Sequence, residues 1–332
     1  MTMPSHSASD DLSPLKRAIL TIEDLKTRLA RVESPTPIAV IGIGCRFPGG
    51  VNGPEAFWRL LMDGRSGIVE TPPERWNSAD WYDPDRNAPG KMNMRRAGFL
   101  ADGIDRFDAG FFSIAPREAT GMDPQQRLLL EVAWETLENA ALAPDRLKGA
   151  NCGVFVGLYH NNYALTGRGS PAPEIIDGWS ASGSHTSIAP GRLSYLLDLK
   201  GPSLAVDTAC SSSLVAVHLA VRSLQSGECN LALAGGVHLL LAPEALVAST
   251  KLGATAPDGR CKAFDATADG FGHGEGCGLV ALKRLPEALA DGDRVLAIIH
   301  GSAINQDGRS NSLTAPNGPS QEAVIRAALA RA

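Results

Sequence analysis

Aromatic residues are scarce in this sequence, at 5% of 332 positions, and no uninterrupted apolar run reaches the roughly 18 residues that a membrane-spanning helix needs. The N-terminal residues MTMPSHSASDDL also lack the positive-then-apolar order of a secretory signal. These absences argue against a membrane partner and against secretion, and they predict a cytoplasmic location.

An excess of basic residues is missing as well. The chain has 31 Lys and Arg against 36 Asp and Glu, which gives a net charge of -5, and its basic residues form no stripe. Binding to nucleic acid depends on a positive surface that faces the phosphates. Nucleic acid is therefore not expected as a partner.

Cysteine pairs at metal-binding or disulfide spacings are also absent. This usage favours reduced thiols over disulfides or a zinc site, so we expect no metal and no other directly bound cofactor. The six cysteines are Cys45, Cys152, Cys210, Cys229, Cys261 and Cys277.

What the sequence does contain is a series of buried-strand patterns. With 44% hydrophobic and 20% charged residues, the chain can bury a large core. Short apolar runs are typical of strands covered on both faces, and helical patterns alternate with them, which predicts a layered α/β fold. The predicted strands are IAVIGIG (38 to 44), GVFVG (153 to 157), SLAVDT (203 to 208), LALAGGV (231 to 237), LVALKRL (279 to 285) and VLAIIHGSA (295 to 303).

The clearest helix begins after Asp123. We predict that Asp123 is its N-cap, that Pro124 occupies its first turn and that Gln126 completes a capping box. The apolar face of this helix is formed by Leu129, Ala133 and Leu137.

A different pattern occupies the N-terminal region, where residues 1 to 11 are polar and residues 12 to 33 have heptad spacing. The spacing predicts a coiled coil that binds a partner. A lone amphipathic helix lying on its own globular domain is the alternative, because fewer than three heptads are marginal in isolation. The two seam positions hold Leu15, Ile22 and Leu29, and Ala18, Leu25 and Val32.

The stretch SLAVDTACSSSLVAVHLAV (203 to 221) places Cys210 at a strand-to-helix junction. A thiol there faces the unpaired amides and the positive end of the helix dipole, which favours the reactive thiolate. The same amides can hold an oxyanion. We predict that Ser211, Ser212 and Ser213 cap the helix. The alternative for Cys210 is an inert core thiol. The predicted inner face of the helix includes Leu214, Val217 and Val221.

The segment VDTACSSSL resembles the active-site motif of ketosynthase domains in modular polyketide synthases and their fatty-acid synthase relatives. Further segments resemble the same family in the same order, from about Pro37 to the C-terminal end of the chain. They include IAVIGIGCRFPGG (38 to 50), MDPQQRLLLEVAWETLE (122 to 138), SIAPGRLSYLLDLKGPS (187 to 203), GECNLALAGGV (227 to 237), GEGCGLVALKRL (274 to 285) and NQDGRSNSLTAPNGPSQEAVIRAAL (305 to 329).

The resemblance implies a thiolase-like, layered αβαβα fold made of two similar halves, which works as a homodimer. We accordingly predict a polar tail and docking helix over residues 1 to 34, an N-terminal ketosynthase half over residues 35 to 290, and the start of a C-terminal half over residues 291 to 332. The last predicted helix, PSQEAVIRAALARA, has no stop signal before Ala332, which suggests a fragment or one half of a split protein.

By the same resemblance, Cys210 accepts an acyl chain from the phosphopantetheine arm of an acyl carrier protein. A malonyl-type extender on a second carrier then loses carbon dioxide and attacks the acyl-cysteine, giving a β-ketoacyl thioester. Residues 12 to 33 would dock an upstream polyketide synthase subunit. Two histidines assist in the family, and we expect them beyond Ala332, so that the fragment alone lacks them.

No internal histidine is a convincing substitute. His218 lies eight residues after Cys210 on the same helix, about 12 Å along its axis, and is expected to pack against the core. His273 stands where family members commonly have arginine, which makes a charge-linked role there doubtful. The remaining histidines have no pairing motif: His6, His160, His185, His238 and His300.

Motifs for other functions fail on inspection. Gly42-Ile-Gly44 matches the first two glycines of the dinucleotide-binding motif G-x-G-x-x-G. The position of the third glycine holds Phe47, which argues against dinucleotide binding. The glycines from Gly272 to Gly278 lack the Gly-Lys-Ser/Thr of a P-loop, and no GxSxG nucleophile elbow is present. Two alternative functions stay open: a non-catalytic partner protein of the same fold, and a docking module.

Overall fold

The computed structural model describes residue 16, residues 18–23, residues 36–159, residue 163 and residues 178–332. The chain forms two compact units, one over Ile38–Ile299 and the other over Met1–Pro37 together with His300–Ala332. Among the residues described, no helix has the length and apolar content to cross a membrane.

Nine strands are present in the described residues: β1 Ile38–Phe47, β2 Val51–Asn52, β3 Ile68–Glu70, β4 Arg96–Gly98, β5 Cys152–Gly157, β6 Ser203–Val206, β7 Leu231–His238, β8 Gly276–Arg284 and β9 Ala297–Ile299. Ten α-helices follow β2 in the described part of the chain: α1 Pro54–Met62, α2 Ser78–Trp81, α3 Pro116–Gly121, α4 Pro124–Asn139, α5 Gly178–Ser184, α6 Ile188–Leu196, α7 Ser212–Ser226, α8 Glu244–Lys251, α9 Leu285–Ala290 and α10 Gly318–Leu329. Each of the six predicted strands is confirmed, with shifted ends.

The main sheet has the order β2-β1-β8-β7-β5-β6, and β9 pairs with β1. Strand β5 lies between β7 and β6 and runs parallel to both, while β8 is antiparallel to β7 and to β1. Every residue of β5 is buried, as expected of a strand covered on both faces. The three parallel strands therefore bring their carboxyl ends to one edge of the sheet.

A helix covers each face of this sheet. On one face, α4 contributes Leu129 and Ala133 to a core that includes Val154 and Leu233. On the other face, α7 packs against the strand residues that point the opposite way. Its Ala216 and Ala220 share a core with Phe155, Ala232 and Ala234. The period-two alternation of the strands sorts their side chains between the two helical layers.

The predicted start of α4 is confirmed, but its capping box is wrong. Asp123 is the N-cap and accepts the Gln125 N–H at 2.7 Å. The Gln126 amide instead donates to the Gly183 carbonyl at 3.0 Å and accepts from Arg192 at 3.2 Å. Gln126 therefore connects α4 to the segment before α6.

The glycines of the β1 phrase GIG serve close packing. A Cβ on Gly42 would lie 2.6 Å from the Thr136 carbonyl oxygen, and one on Gly44 would lie 2.6 Å from the Val132 carbonyl oxygen. Only glycine lets α4 approach the strand this closely. This contact explains why a Gly-Ile-Gly phrase occurs here without a dinucleotide loop.

In the other unit, α10 begins at its N-cap Asn317, whose side chain accepts the Ser320 N–H at 3.3 Å. Residue 16 and residues 18 to 23 are helical, and Ile22 is 51% exposed. The other predicted seam positions, apart from Ala18, lie outside the described residues, so the coiled coil stays a prediction.

Candidate active site

Cys210 lies in a single 3-10 turn, Ala209–Ser211, between the end of β6 and the start of α7. The side chain is exposed, whereas Cys45, Cys152, Cys229 and Cys277 are buried. All six cysteines are free thiols. Among them, Cys210 combines exposure with a position at a helix N-terminus, which corresponds to the predicted strand-to-helix junction.

The residue before Cys210 has an unusual backbone conformation. Ala209 has a φ of 54°, in the left-handed region that costs a residue with a side chain roughly 1–2 kcal/mol. The Asp207 carboxylate accepts the Ala209 N–H at 3.1 Å, and the Ser212 hydroxyl accepts the Thr208 N–H at 2.9 Å. Such strain persists only where surrounding bonds hold it, and these bonds do so.

The serines after Cys210 brace this turn, and the prediction that they cap the helix is wrong for Ser211 and Ser212. Ser211 is the N-cap of α7, but its side chain makes no capping bond and donates to the Thr208 carbonyl at 2.9 Å. The Ser212 hydroxyl donates to the Ala209 carbonyl at 2.6 Å. Both hydroxyls therefore bond backward to the turn that carries Cys210.

Two glycines set how deeply the helix is seated. A Cβ on Gly157, the last residue of β5, would lie 2.6 Å from the Ser213 nitrogen and 2.7 Å from the Ser212 carbonyl carbon. A Cβ on Gly236 in β7 would lie 3.0 Å from the Ser213 Cβ. The first turn of α7 therefore rests directly on the strand ends, and Cys210 lies in the 3-10 turn just before it. Both glycines occur in predicted strands, but their role depends on this contact.

The predicted inner face of α7 is partly wrong. Val221 is buried at 2% exposure, but Leu214 is 75% exposed. The face that meets the sheet is built around Ala216 and Ala220, both fully buried. Small side chains belong there because the glycines below leave little space between helix and sheet. Leu214 consequently points away from the core.

The histidines near this edge have different surroundings. His218 is buried in α7 at 8% exposure, which confirms the expected packing. His238 ends β7, where its ring centroid lies 6.3 Å from that of Tyr159. Burial lowers the pKa of His273, whose ring centroid lies 5.0 Å from that of Phe271, and this histidine stands where family members commonly have arginine. His6 and His160 lie outside the described residues.

A buried ion pair that the sequence analysis missed holds the start of β8. Arg75 and Glu275 form two bonds, at 2.8 and 2.9 Å, with side chains 7% and 0% exposed. Glu275 also accepts the Leu100 and Leu240 amides, each at 2.9 Å. Burial raises the pKa of Glu275, and Arg75 opposes that shift. The ion pair therefore connects the segments that follow β4 and β7 to the start of β8, where Gly276 pairs with His238.

Solved structures define the class of fold. The chain matches the oxazolomycin ketosynthase domain of Streptomyces albus JA3453 with a TM-score of 0.82 and 39% identity, over 89% of this chain and 52% of that one. It matches a ketosynthase from module 6 of the bacillaene synthase of Bacillus subtilis 168 with a TM-score of 0.78 and 40% identity, over 87% and 47%. The fold is the thiolase-like α/β fold of ketosynthases, which confirms the predicted class.

The chain belongs to the β-ketoacyl synthase family. Residues 35–288 match its description "Beta-ketoacyl synthase, N-terminal domain", and residues 296–332 match "Beta-ketoacyl synthase, C-terminal domain". This assignment confirms the family predicted from the motif around Cys210.

Curated relatives include two different proteins of the phenolphthiocerol/phthiocerol polyketide synthase of Mycobacterium tuberculosis. One is 51% identical over 325 residues, which is 96% of this chain and 15% of that protein. The other is 53% identical over 309 residues, which is 93% of this chain and 20% of that protein. The chain thus spans a fifth or less of these relatives and about half of the solved ketosynthases.

Proposed function

We propose that this chain carries the acyl-accepting nucleophile of a polyketide synthase ketosynthase, and that Cys210 is that nucleophile. The observation that carries the proposal is the exposed thiol on a strained turn at the N-terminus of α7. Helix amides and dipole favour a thiolate and a developing oxyanion at such a position. The similarity to polyketide synthase proteins supports an acyl thioester as the substrate.

In the proposed first step, the Cys210 thiolate attacks the thioester carbonyl of an acyl chain on an acyl carrier protein. The tetrahedral oxyanion accepts hydrogen bonds, with the Cys210 amide as one donor. Collapse breaks the bond to the phosphopantetheine sulfur, which leaves as a thiolate and takes a proton from solvent, and the acyl group stays on Cys210 as a thioester. Phosphopantetheine therefore enters as a substrate carrier, and no cofactor is bound directly.

In the second step, a malonyl-type extender on another carrier protein loses carbon dioxide. The resulting enolate carbon attacks the acyl-cysteine carbonyl, which releases Cys210 as a thiolate and forms a β-ketoacyl thioester on the second carrier. Stabilising the enolate oxygen requires hydrogen-bond donors, and we assign that role to none of the histidines in this chain. A cytoplasmic location, where carrier proteins are available, completes the proposal.

Thioester labelling tests the assignment of Cys210. The 332-residue chain is incubated with an acyl-N-acetylcysteamine thioester and digested, and its peptides are mapped by mass spectrometry. We expect an acyl adduct on the Cys210 peptide, none in Cys210→Ala, and an unchanged adduct in Cys261→Ala, which removes the other exposed cysteine. A folded wild-type chain that stays unlabelled, or that carries the adduct on Cys261, contradicts the proposal.

We further propose that residues 12 to 33 dock an upstream polyketide synthase subunit. The heptad spacing and the exposed Ile22 within a helical stretch support this role. Deleting residues 1 to 34 should weaken acyl transfer from a carrier protein on the upstream subunit and leave labelling by small thioesters unchanged. An equal loss of both activities would contradict docking and indicate a structural helix.

A homodimer is the last part of the proposal. Strand β6 ends the sheet, and among the described strands its outer edge has no neighbour. Leu204 on β6 is 45% exposed, and Leu214 on the adjoining α7 is 75% exposed. An exposed edge with apolar side chains is commonly covered by another strand. A second copy, related by a two-fold axis, can pair with this edge through the same surface.

A further inference from the structure

The carboxyl ends of β5, β6 and β7 converge on the turn that carries Cys210. Gly157 of β5 pairs with Val206 of β6 on one side and with Gly236 of β7 on the other. Just beyond these paired residues come Tyr159 and His238, whose ring centroids lie 6.3 Å apart at an angle of 45°. Sequence alone separates the two rings by 79 positions, and the parallel register brings them together.

The faces of the strands fix the side to which the two rings project. Phe155 on β5 and Ala234 on β7 belong to the core that faces α7. Because side chains two residues apart share a face, Tyr159 and His238 project to that same side. Leu158 packs in the opposite core, so the alternation continues past the end of β5.

The contact between α7 and the strands then shows where the two rings lie relative to the N-terminus of the helix. Gly157 and Gly236 lie under Ser213 in the first turn of the helix. A strand rises about 3.3 Å per residue, so Tyr159 and His238 lie roughly 6–7 Å further along, past the helix N-terminus. Cys210 lies in the turn Ala209–Ser211 that immediately precedes α7, and so it lies at this same end of the helix. Tyr159 is 45% exposed.

We propose that Tyr159 and His238 form a wall beside Cys210 that determines which acyl groups the thiol accepts. This inference rests on the proposed acylation of Cys210. The wall limits bulk on the carbons next to the thioester carbonyl, because the rings stand where those carbons leave the sulfur. Linear acyl chains are favoured, and chains branched next to the carbonyl are disfavoured. Both residues act on specificity by contact with the acyl group.

Competition labelling tests this inference. The wild-type chain receives acetyl-N-acetylcysteamine together with the α-branched 2-methylbutyryl thioester, and mass spectrometry measures the ratio of the two adducts on Cys210. Removing a wall that excludes about one or two carbon atoms is expected to change the ratio about tenfold. We expect Tyr159→Ala and His238→Ala to raise the share of branched adduct, and Tyr159→Trp to lower it. Trp58→Ala, at an exposed position on α1, should leave it unchanged.

The outcomes separate this inference from the proposed function. If the wild type is acylated and the adduct ratio is the same in all Tyr159 and His238 variants, the wall is refuted and the nucleophile stands. If the wild type is not acylated, both proposals are refuted. Alkylation of Cys210 by iodoacetamide at the wild-type rate shows that a variant still presents the thiol. Tyr159→Ala and Tyr159→Trp are expected to change the adduct ratio in opposite directions. If one of them fails to fold, the direction of change in the other still tests the wall.

Discussion

At the scale of single residues, Asp123 is a carboxyl group that folding removes from water. It is 2% exposed, and burial raises its pKa from 3.8 to about 6, against the lowering effect of its bonds to Gln125. The folded state therefore holds this proton more tightly than the unfolded state. The bound proton therefore makes its full contribution to the free energy of unfolding below about pH 4. This contribution declines between about pH 4 and pH 6 and is lost above about pH 6.

Asp123→Asn should remove this dependence, because asparagine caps a helix as well as aspartate does and carries no charge. We expect a gain in the free energy of unfolding on the order of 1–3 kcal/mol at neutral pH, and little gain near pH 4. Urea denaturation at several pH values measures both. Asp105→Asn is the control, since Asp105 is an exposed aspartate. A variant less stable than wild type at pH 7 would contradict the prediction.

At the scale of secondary structure elements, the seating of α7 on β5 should control the reactivity of Cys210. In Gly157→Ala the new methyl group would lie 2.6 Å from a backbone nitrogen of the helix, so α7 has to move. Overpacking of this kind costs about 1–3 kcal/mol. We expect a lower melting temperature and slower alkylation of Cys210 by iodoacetamide.

The matched control for this change is Gly191→Ala. Gly191 lies within α6 and has no atom within 4 Å of a new Cβ, so alanine should be neutral or slightly stabilising there. If Gly157→Ala alkylates at the wild-type rate while its stability falls, the glycine serves only folding and the link to Cys210 is wrong.

At the scale of the whole molecule, the exposed edge of the sheet predicts self-association. Leu204→Asp combined with Leu214→Asp places two charges on the surface proposed to pair with a second copy. We expect the wild type to sediment as a dimer and the double variant as a monomer in analytical ultracentrifugation. Leu289→Asp, at a 64% exposed position on α9, should remain dimeric. A dimeric double variant would place the interface elsewhere.

The family motifs and the local patterns were readable from the sequence. The six predicted strands, the start of α4 at Asp123 and the position of Cys210 at a strand-to-helix junction all depend on neighbours within a few residues. Periodicity, capping and turn chemistry express such short-range preferences directly. The docking helix, the domain boundaries and the role of Cys210 stay predictions of this kind.

Contacts between distant residues were decided only by the tertiary structure. Gln126 bonds to Gly183, 57 positions away, and Arg75 pairs with Glu275, 200 positions away. Leu214 faces outward because Gly157 and Gly236 leave room only for small side chains under α7. The meeting of Tyr159 and His238 follows from strand order and register. The sequence by itself determined the elements and the turn that carries Cys210, because those preferences are local, while packing across the sheet determined what surrounds that turn.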